Sequence, residues 1–423
     1  NGGSVPGIDL DTTTGAFTVT GSGSGDCKNN AGQCSGGSIS NMSGGGDGVD
    51  GILLNNANNV NLNFMLINNN TRNGIFATNV NGFAFNQLRI TNSGDQVSPD
   101  EAGILMIDAI GSASAGSNPT SITNTLVSNS YENDVIIRNN SGTLTDLVVT
   151  GSDFTNNGAS TVAGSQFLLD VGGTANVTAT MSNNTIIGNT VAGQRTAFGI
   201  VGDAADTSQL TLNVSSSNFT NNNVALEASV SHGASLSFSF LNNTITGSRS
   251  NAINIFANAS HTSLITGTIE GNSVGTNGVL NSGSLLGSGI RARNEGSGTL
   301  TLLINNNFIR EVGNGGSGFE GISINNSVNP GTLNATITNN TLDQIRDDRG
   351  ILTQMIVNGT TCANISGNTL TNIGGSDDIF VRRTNGTFNL TQLSVANLGT
   401  VNNGATATSF GTINFNSGAC ATP

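Results

Sequence analysis

Four charged side chains offer the most direct route to chemistry in this chain. Gly-Ile or Ala-Ile dipeptides recur at Gly74-Ile75, Gly103-Ile104, Gly199-Ile200, Ala252-Ile253, Gly289-Ile290, Gly321-Ile322 and Gly350-Ile351. If each isoleucine points inward on a strand, the next residue and the one two further on point outward. That reading puts Arg138, Asp170, Asp203 and Glu227 on one outward face. Carboxylates stacked about 5 Å apart share a proton or hold Ca²⁺. A carboxylate pair is also what glycoside hydrolysis requires. Asp170, Asp203 and Glu227 are therefore the catalytic candidates of an enzymatic reading. The competing reading is a solvated set of scattered charges.

A second outward feature is apolar. Leu53, Phe76, Leu105, Ile136, Leu168 and Val201 fall on one column over successive repeats. A stripe of this length on a solvated face is an interaction site. The alternative is that long connections, such as residues 91–102, fold over it.

Other motifs carry less. Gly45-Gly46-Asp47-Gly48-Val49-Asp50-Gly51-Ile52 matches a calcium-binding nonapeptide core, which makes Asp47 and Asp50 candidate metal ligands. That motif works in stacked arrays. The only similar phrase, Gly315 to Ile322, has Glu320 in place of aspartate. No cofactor is expected, Ca²⁺ being the single candidate. His232 and His261 lack a nucleophile or acid partner in sequence, and no phosphate loop is present. The cysteines pair by position as Cys27 with Cys34 and Cys362 with Cys420. Neither pair has CxxC spacing, which disfavours zinc. Two disulfides are expected, and with them an oxidising, extracellular location.

Positioning such residues requires a repetitive scaffold, and the sequence supplies one. A phrase of two small polar residues followed by an aliphatic strand returns throughout: Asn183-Asn184-Thr185-Ile186, Asn242-Asn243-Thr244-Ile245, Asn306-Asn307-Phe308-Ile309, Asn339-Asn340-Thr341-Leu342 and Gly367-Asn368-Thr369-Leu370. Anchor positions are expected at 63, 86, 124, 153, 184, 218, 243, 272, 307, 340 and 368. Their spacing is about 30 residues on average, with loops of variable length between. Period-two alternation runs before the phrase, after it and through the Gly-Ile segments, so each repeat holds three strands. Three short strands and a polar corner per repeat predict an all-β, single-domain, right-handed parallel β-helix of about 11–12 coils. Residues 1–50 are expected as an N-terminal cap with a Cys27–Cys34 loop and 51–383 as the repeats. Residues 384–423 are expected as a C-terminal cap tied by Cys362–Cys420.

Composition narrows the partners. The chain has 423 residues, 58 glycines, 9% charged residues and a net charge of −13, with Lys28 the only lysine. Ordinary globular proteins carry about 25% charged residues, so asparagine, serine, threonine and glycine must cover this surface. There is no basic footprint for nucleic acid. No apolar run approaches the ~20 residues of a membrane span. The chain opens on Asn1 without an initiator methionine or signal segment, so a processed or excised start is expected.

The anchor phrases, the Gly-Ile strands and Cys362-Ala363-Asn364-Ile365 with Cys420 together resemble the right-handed parallel β-helices of the pectin-lyase-like superfamily. The resemblance is closer still to the Asn/Gly/Thr-rich β-helix regions of large secreted or surface-exposed bacterial proteins. It covers residues 50–383. It implies that the asparagine ladder sits at the short turn between the second and third sheets, with the Gly-Ile strands in the first sheet. The connection before each Gly-Ile strand then flanks the face where the superfamily's enzymes bind polysaccharide. That superfamily mixes enzymes with binding and structural proteins. The leading reading is an extracellular structural or adhesive module that binds glycan or copies of itself. A polysaccharide lyase or hydrolase is the first alternative. A self-assembling filament subunit, whose ends stack by strand addition, is the second.

Overall fold

The computed structural model describes residues 2–44, 48–96, 100–112, 120–156, 164–189, 197–259, 262–314 and 318–423. Successive strands go in turn to three parallel sheets, giving a right-handed β-solenoid of about 12 turns with almost no helix. No described helix is long and apolar enough to cross a membrane. The chain forms two compact units, residues 1–203 with 208–212 and residues 204–207 with 213–423. Each is built on the same three-sheet plan.

In the first unit the plan begins within residues 1–50. Ile8–Asp11 pairs with Ile52–Asn55 in the first sheet, Phe17–Val19 with Asn58–Asn63 in the second, and Gly37–Ser40 with Met65–Asn70 in the third. Ile52, Ile75, Ile104, Val135 and Phe167 then stand in register on the first sheet, all fully buried. Burying each such side chain contributes about 1.5–3 kcal/mol, so the stacked column stabilises the unit together with its other buried columns. The Cys27–Cys34 disulfide is formed. Its loop lies against later turns. Arg89 Nη1 donates to the Lys28 carbonyl at 2.8 Å. Lys28 Nζ reaches the Gly151 carbonyl at 2.7 Å and Asp153 at 2.9 Å. The only lysine is thus spent inside the unit.

The second unit repeats the pattern with Ile253, Ile290, Ile322, Ile351 and Ile379 in register. Phe238 and Phe240 stack at 4.7 Å in its second sheet. The residue opposite Phe238 is Gly267, where a Cβ would lie 2.1 Å from the ring. Glycine is required there for close approach.

The repeated phrase has a division of roles. Its first residue takes a left-handed corner: Asn183 at φ 56°, Asn242 at 54°, Gly271 at 67°, Asn306 at 54°, Asn339 at 56° and Gly367 at 71°. Asparagine and glycine tolerate that conformation better than other residues. Its second residue turns inward. In the second unit Asn243, Asn272, Asn307, Asn340 and Asn368 form a buried ladder. Each backbone N–H donates to the next residue's Oδ1 at 2.9–3.0 Å, the last to Asn402. Each Nδ2 also donates to a backbone carbonyl, for example Asn307 to Ile269 at 2.9 Å. The ladder satisfies groups that water cannot reach.

This corrects five expected anchors. Register puts Met65, Leu88, Thr125 and Ser152 at the inward position of the first unit, ahead of Asn184. Asn63 and Asn86 end second-sheet strands, Asn124 is a left-handed corner, and Asp153 follows the ladder residue. In the second unit Ser217, not Asn218, precedes Asn243. Asparagine occurs so often on the outside of this chain that spacing alone does not separate the two uses.

At the C-terminal side, Ala407–Phe410 and Asn414–Phe415 extend the first and second sheets. A short helix, Val395–Thr400, capped by the Ser394 hydroxyl on the Asn397 N–H, stands where the third-sheet strand would be. Asn402 Nδ2 donates to the carbonyls of Ile365 and Leu398, so the ladder ends on the helix. Cys362 and Cys420 are disulfide-bonded.

Candidate functional site

The first sheet presents different outward faces in the two units. In the first unit Leu53, Phe76, Leu105, Ile136 and Leu168 are neighbours in register. Leu105 and Ile136 are buried at 4% and 1% exposure, as is Val201 at 8%, while Leu53, Phe76 and Leu168 are half-buried. Ala102 packs onto Leu105 and Ile136. Arg72 lies over the Phe76 ring at 5.0 Å. The stripe is therefore partly covered by the chain's own side chains, and its middle offers little free apolar surface.

The acidic candidates have partners. Asp170 receives Arg138 Nε at 2.7 Å, and Arg138 Nη1 reaches Asp100 at 2.7 Å. Burial would lower the Arg138 pKa, but the two carboxylates more than reverse this. Asp203 lies on Phe198–Ala204, the strand after Ser165–Val171 in the first sheet. Asp170 and Asp203 belong to the first unit and Glu227 to the second. Glu227 accepts from Asn254 Nδ2 at 2.9 Å.

Of the calcium motif, Asp47 lies outside the described residues. Asp50 is 4% exposed and occupied internally. Its Oδ1 accepts from the Asn73 N–H at 3.1 Å and Nδ2 at 2.9 Å, and Arg72 stands 3.4 Å from Oδ2. Burial raises its pKa, and Asn73 and Arg72 offset part of that. Among the described residues no three His, Cys, Asp or Glu side chains converge as a metal set. His232 Nδ1 lies 3.0 Å from the Ser231 hydroxyl. His261 lies outside the described residues.

One buried acid escaped the sequence reading. Asp134 occupies the place of glycine before the inward aliphatic residue, opposite Gly103. It is fully buried, and neither oxygen makes a well-formed hydrogen bond. Burial pushes its pKa well above the ordinary 3.8, with Ser130 and the Thr155 backbone offsetting only part. Glu101 and Glu132 nearby are raised for the same reason, Asp100 adding to the rise at Glu132. The missing glycine in Asn133-Asp134-Val135 was the available signal.

The sign of the pH dependence follows. Ionisation of Asp134 is penalised in the fold, so its destabilising effect is absent below about pH 3.8 and grows as pH rises toward the folded-state pKa. Asp134→Asn is therefore expected to raise the melting temperature by a few degrees at pH 7 and to change it little at pH 4. Thermal scans at the two pH values check this; an unchanged or lowered midpoint at pH 7 contradicts it.

The second unit carries the more polar part of the face, with Ser323, Asn325 and Leu352 buried within it. Its first outward column runs Glu227, Asn254, Arg291, Ser323, Leu352 and its second Ser229, Phe256, Arg293, Asn325, Gln354. Arg293 pairs with Glu295 at 2.7 Å and lies over Phe256 at 4.9 Å. Beside them is a cavity of about 240 Å³, lined among others by Ser288, Arg291, Phe319, Glu320, Asn325 and Gln354. Glu320 is 7% exposed and its Oε2 accepts from the Ser288 hydroxyl at 3.2 Å. Arg291 follows the inward Ile290, so the strand rule alone puts it on this column. Glu320 appeared only as the odd residue of a glycine-rich loop, and its inward turn required the structure. No protein-family model, curated protein or solved structure matches the chain.

Proposed function

We propose that the chain is an extracellular structural or adhesive module that holds glycan against the outward first-sheet face of its second unit. The contrast between inside and outside carries this reading. Inward positions repeat and satisfy one another. The outward columns from Glu227 to Leu352 and from Ser229 to Gln354 mix charged, amide, hydroxyl and apolar groups and border a cavity. Amides, hydroxyls and an aromatic ring at steps of about 4.8 Å suit the hydroxyl-rich, partly apolar surface of a sugar chain. The two disulfides support an oxidising setting.

Electrophoresis through gels containing neutral or uronic-acid polysaccharides, run beside assays for released chain ends, tests this. Retarded migration without product is expected. Product release that Asp170→Ala or Asp203→Ala abolishes would instead establish the polysaccharide lyase or hydrolase.

A further inference from the structure

The cavity of the second unit is lined by a cation with no direct partner, in a chain of net charge −13. Arg291 is half-buried, yet among the described residues it makes no ion pair or hydrogen bond. Its neighbour Arg293 is already committed to Glu295 and to the ring of Phe256. A half-buried guanidinium with no direct partner keeps donors open to an incoming anion, and its reduced hydration makes such a pair stronger than one in bulk water. Glu320 is the nearby carboxyl, but it is turned to the hydroxyls of Ser288 and Ser323.

We propose that the cavity beside Arg291 and Glu320 is a binding site for a carboxylate on a small ligand, gripped by the Arg291 guanidinium through both oxygens. The planar guanidinium matches that geometry better than any other side chain. Amides of Asn325 and Gln354 and the Ser288 hydroxyl meet polar groups beside the carboxylate. Phe319, Leu286 and Leu352 add apolar surface to the lining. A half-open cavity of about 240 Å³ takes one sugar or one amino acid at a time.

The state of Glu320 supports this. Burial raises its pKa and the Asp348 charge raises it further, with Ser323 and Ser288 offsetting part. Its carboxyl therefore holds a proton to higher pH than a free glutamate and repels an incoming carboxylate less. Burial and Arg293 lower the Arg291 pKa, and Glu320 and Glu295 raise it, but an arginine stays charged throughout.

The inference rests on the reading of this face as the binding face and adds the ligand's chemistry. Calorimetric titration of the full chain with glucuronate, glucose, L-glutamate and lactate tests it. Glucuronate is expected to bind at least about tenfold tighter than glucose, the difference one charge-assisted pair supplies. Arg291→Gln is expected to remove that preference, and Arg291→Lys to restore part of it. Glu320→Gln removes the carboxylate charge beside the site and is expected to flatten the loss of glucuronate binding as pH rises. Equal binding of glucose and glucuronate overturns the carboxylate site while leaving glycan binding in place. Binding of glutamate or lactate alone, lost in Arg291→Gln, upholds the site and removes the glycan reading. Absence of binding by all four overturns the site. The comparison of ligands needs only the unaltered chain, so it stands even if a variant fails to fold.

Discussion

Asn307→Ala is expected to lower the unfolding free energy by about 3–5 kcal/mol, since several buried groups lose their partners together. Asn307 is fully buried. Its Oδ1 accepts from the Asn272 N–H and Nδ2, both at 3.0 Å. Its Nδ2 donates to Ile269, to Asn305 and to Asn340 Oδ1. Alanine leaves the Asn272 backbone N–H without its acceptor and strips the Ile269 carbonyl of its amide donor where water has little access, while Asn272 Nδ2 keeps Phe240 and Glu270. The adjacent Asn306→Ala is the control. It removes only a residue suited to the left-handed corner, at a cost of about 1 kcal/mol. Denaturant midpoints for the two variants separate the roles. Similar losses for both would show that the second asparagine has no special standing.

Loss of the Cys362–Cys420 disulfide is the second large effect. The bond closes a separation of 58 residues. Its removal is expected to cost about 4 kcal/mol in the chain-entropy model, against about 2.5 kcal/mol for the seven-residue separation of Cys27–Cys34. The consequence is also local. Ala407–Phe410 and Asn414–Phe415 are short and mostly unburied, and Phe410 is 56% exposed. Few apolar contacts would hold them once the bond is gone. In the Cys362→Ser/Cys420→Ser variant, limited proteolysis is expected to cut within residues 404–423 at early times. A tail as resistant as in the parent chain, with an unchanged midpoint, would show that the strands alone suffice.

The fold was legible because its signal repeats. Alternation of period two, the Gly-Ile strands and the double-asparagine phrase all report one repeating turn, and each copy reinforces the others. Register within the phrase was less legible. Asn63, Asn86 and Asn124 share their type with Asn307, but they lie on the outside or at the corner, and only pairing separates these uses. In the first unit the inward position passes to Met65, Leu88, Thr125 and Ser152, where apolar packing or a hydroxyl does the work of an amide. The Leu88 N–H, for instance, donates to Thr125 Oγ1 at 3.3 Å.

The face was legible as two columns, because strand geometry alone fixes which residues point outward. What lies over each column was not. Arg138 sits between Asp100 and Asp170 because a connection distant in sequence returns to it. The cavity beside Arg291 depends likewise on Ser288 and Glu320, which come from connections of different turns. Such meetings depend on loop path, which carries no period. Asp134 is the intermediate case: its place in the repeat was readable, its complete burial was not.

Native-state hydrogen exchange on the second unit tests most directly the claim that the asparagine phrase is scaffold. The amides of Asn243, Asn272, Asn307, Asn340 and Asn368 each donate to a buried side-chain oxygen of the next turn. They are expected to exchange only through global unfolding, as slowly as the strand-interior amides of Ile304 and Ile337. Exchange orders of magnitude faster than in those strands, through local opening, would mean that the ladder does not hold the turns in register.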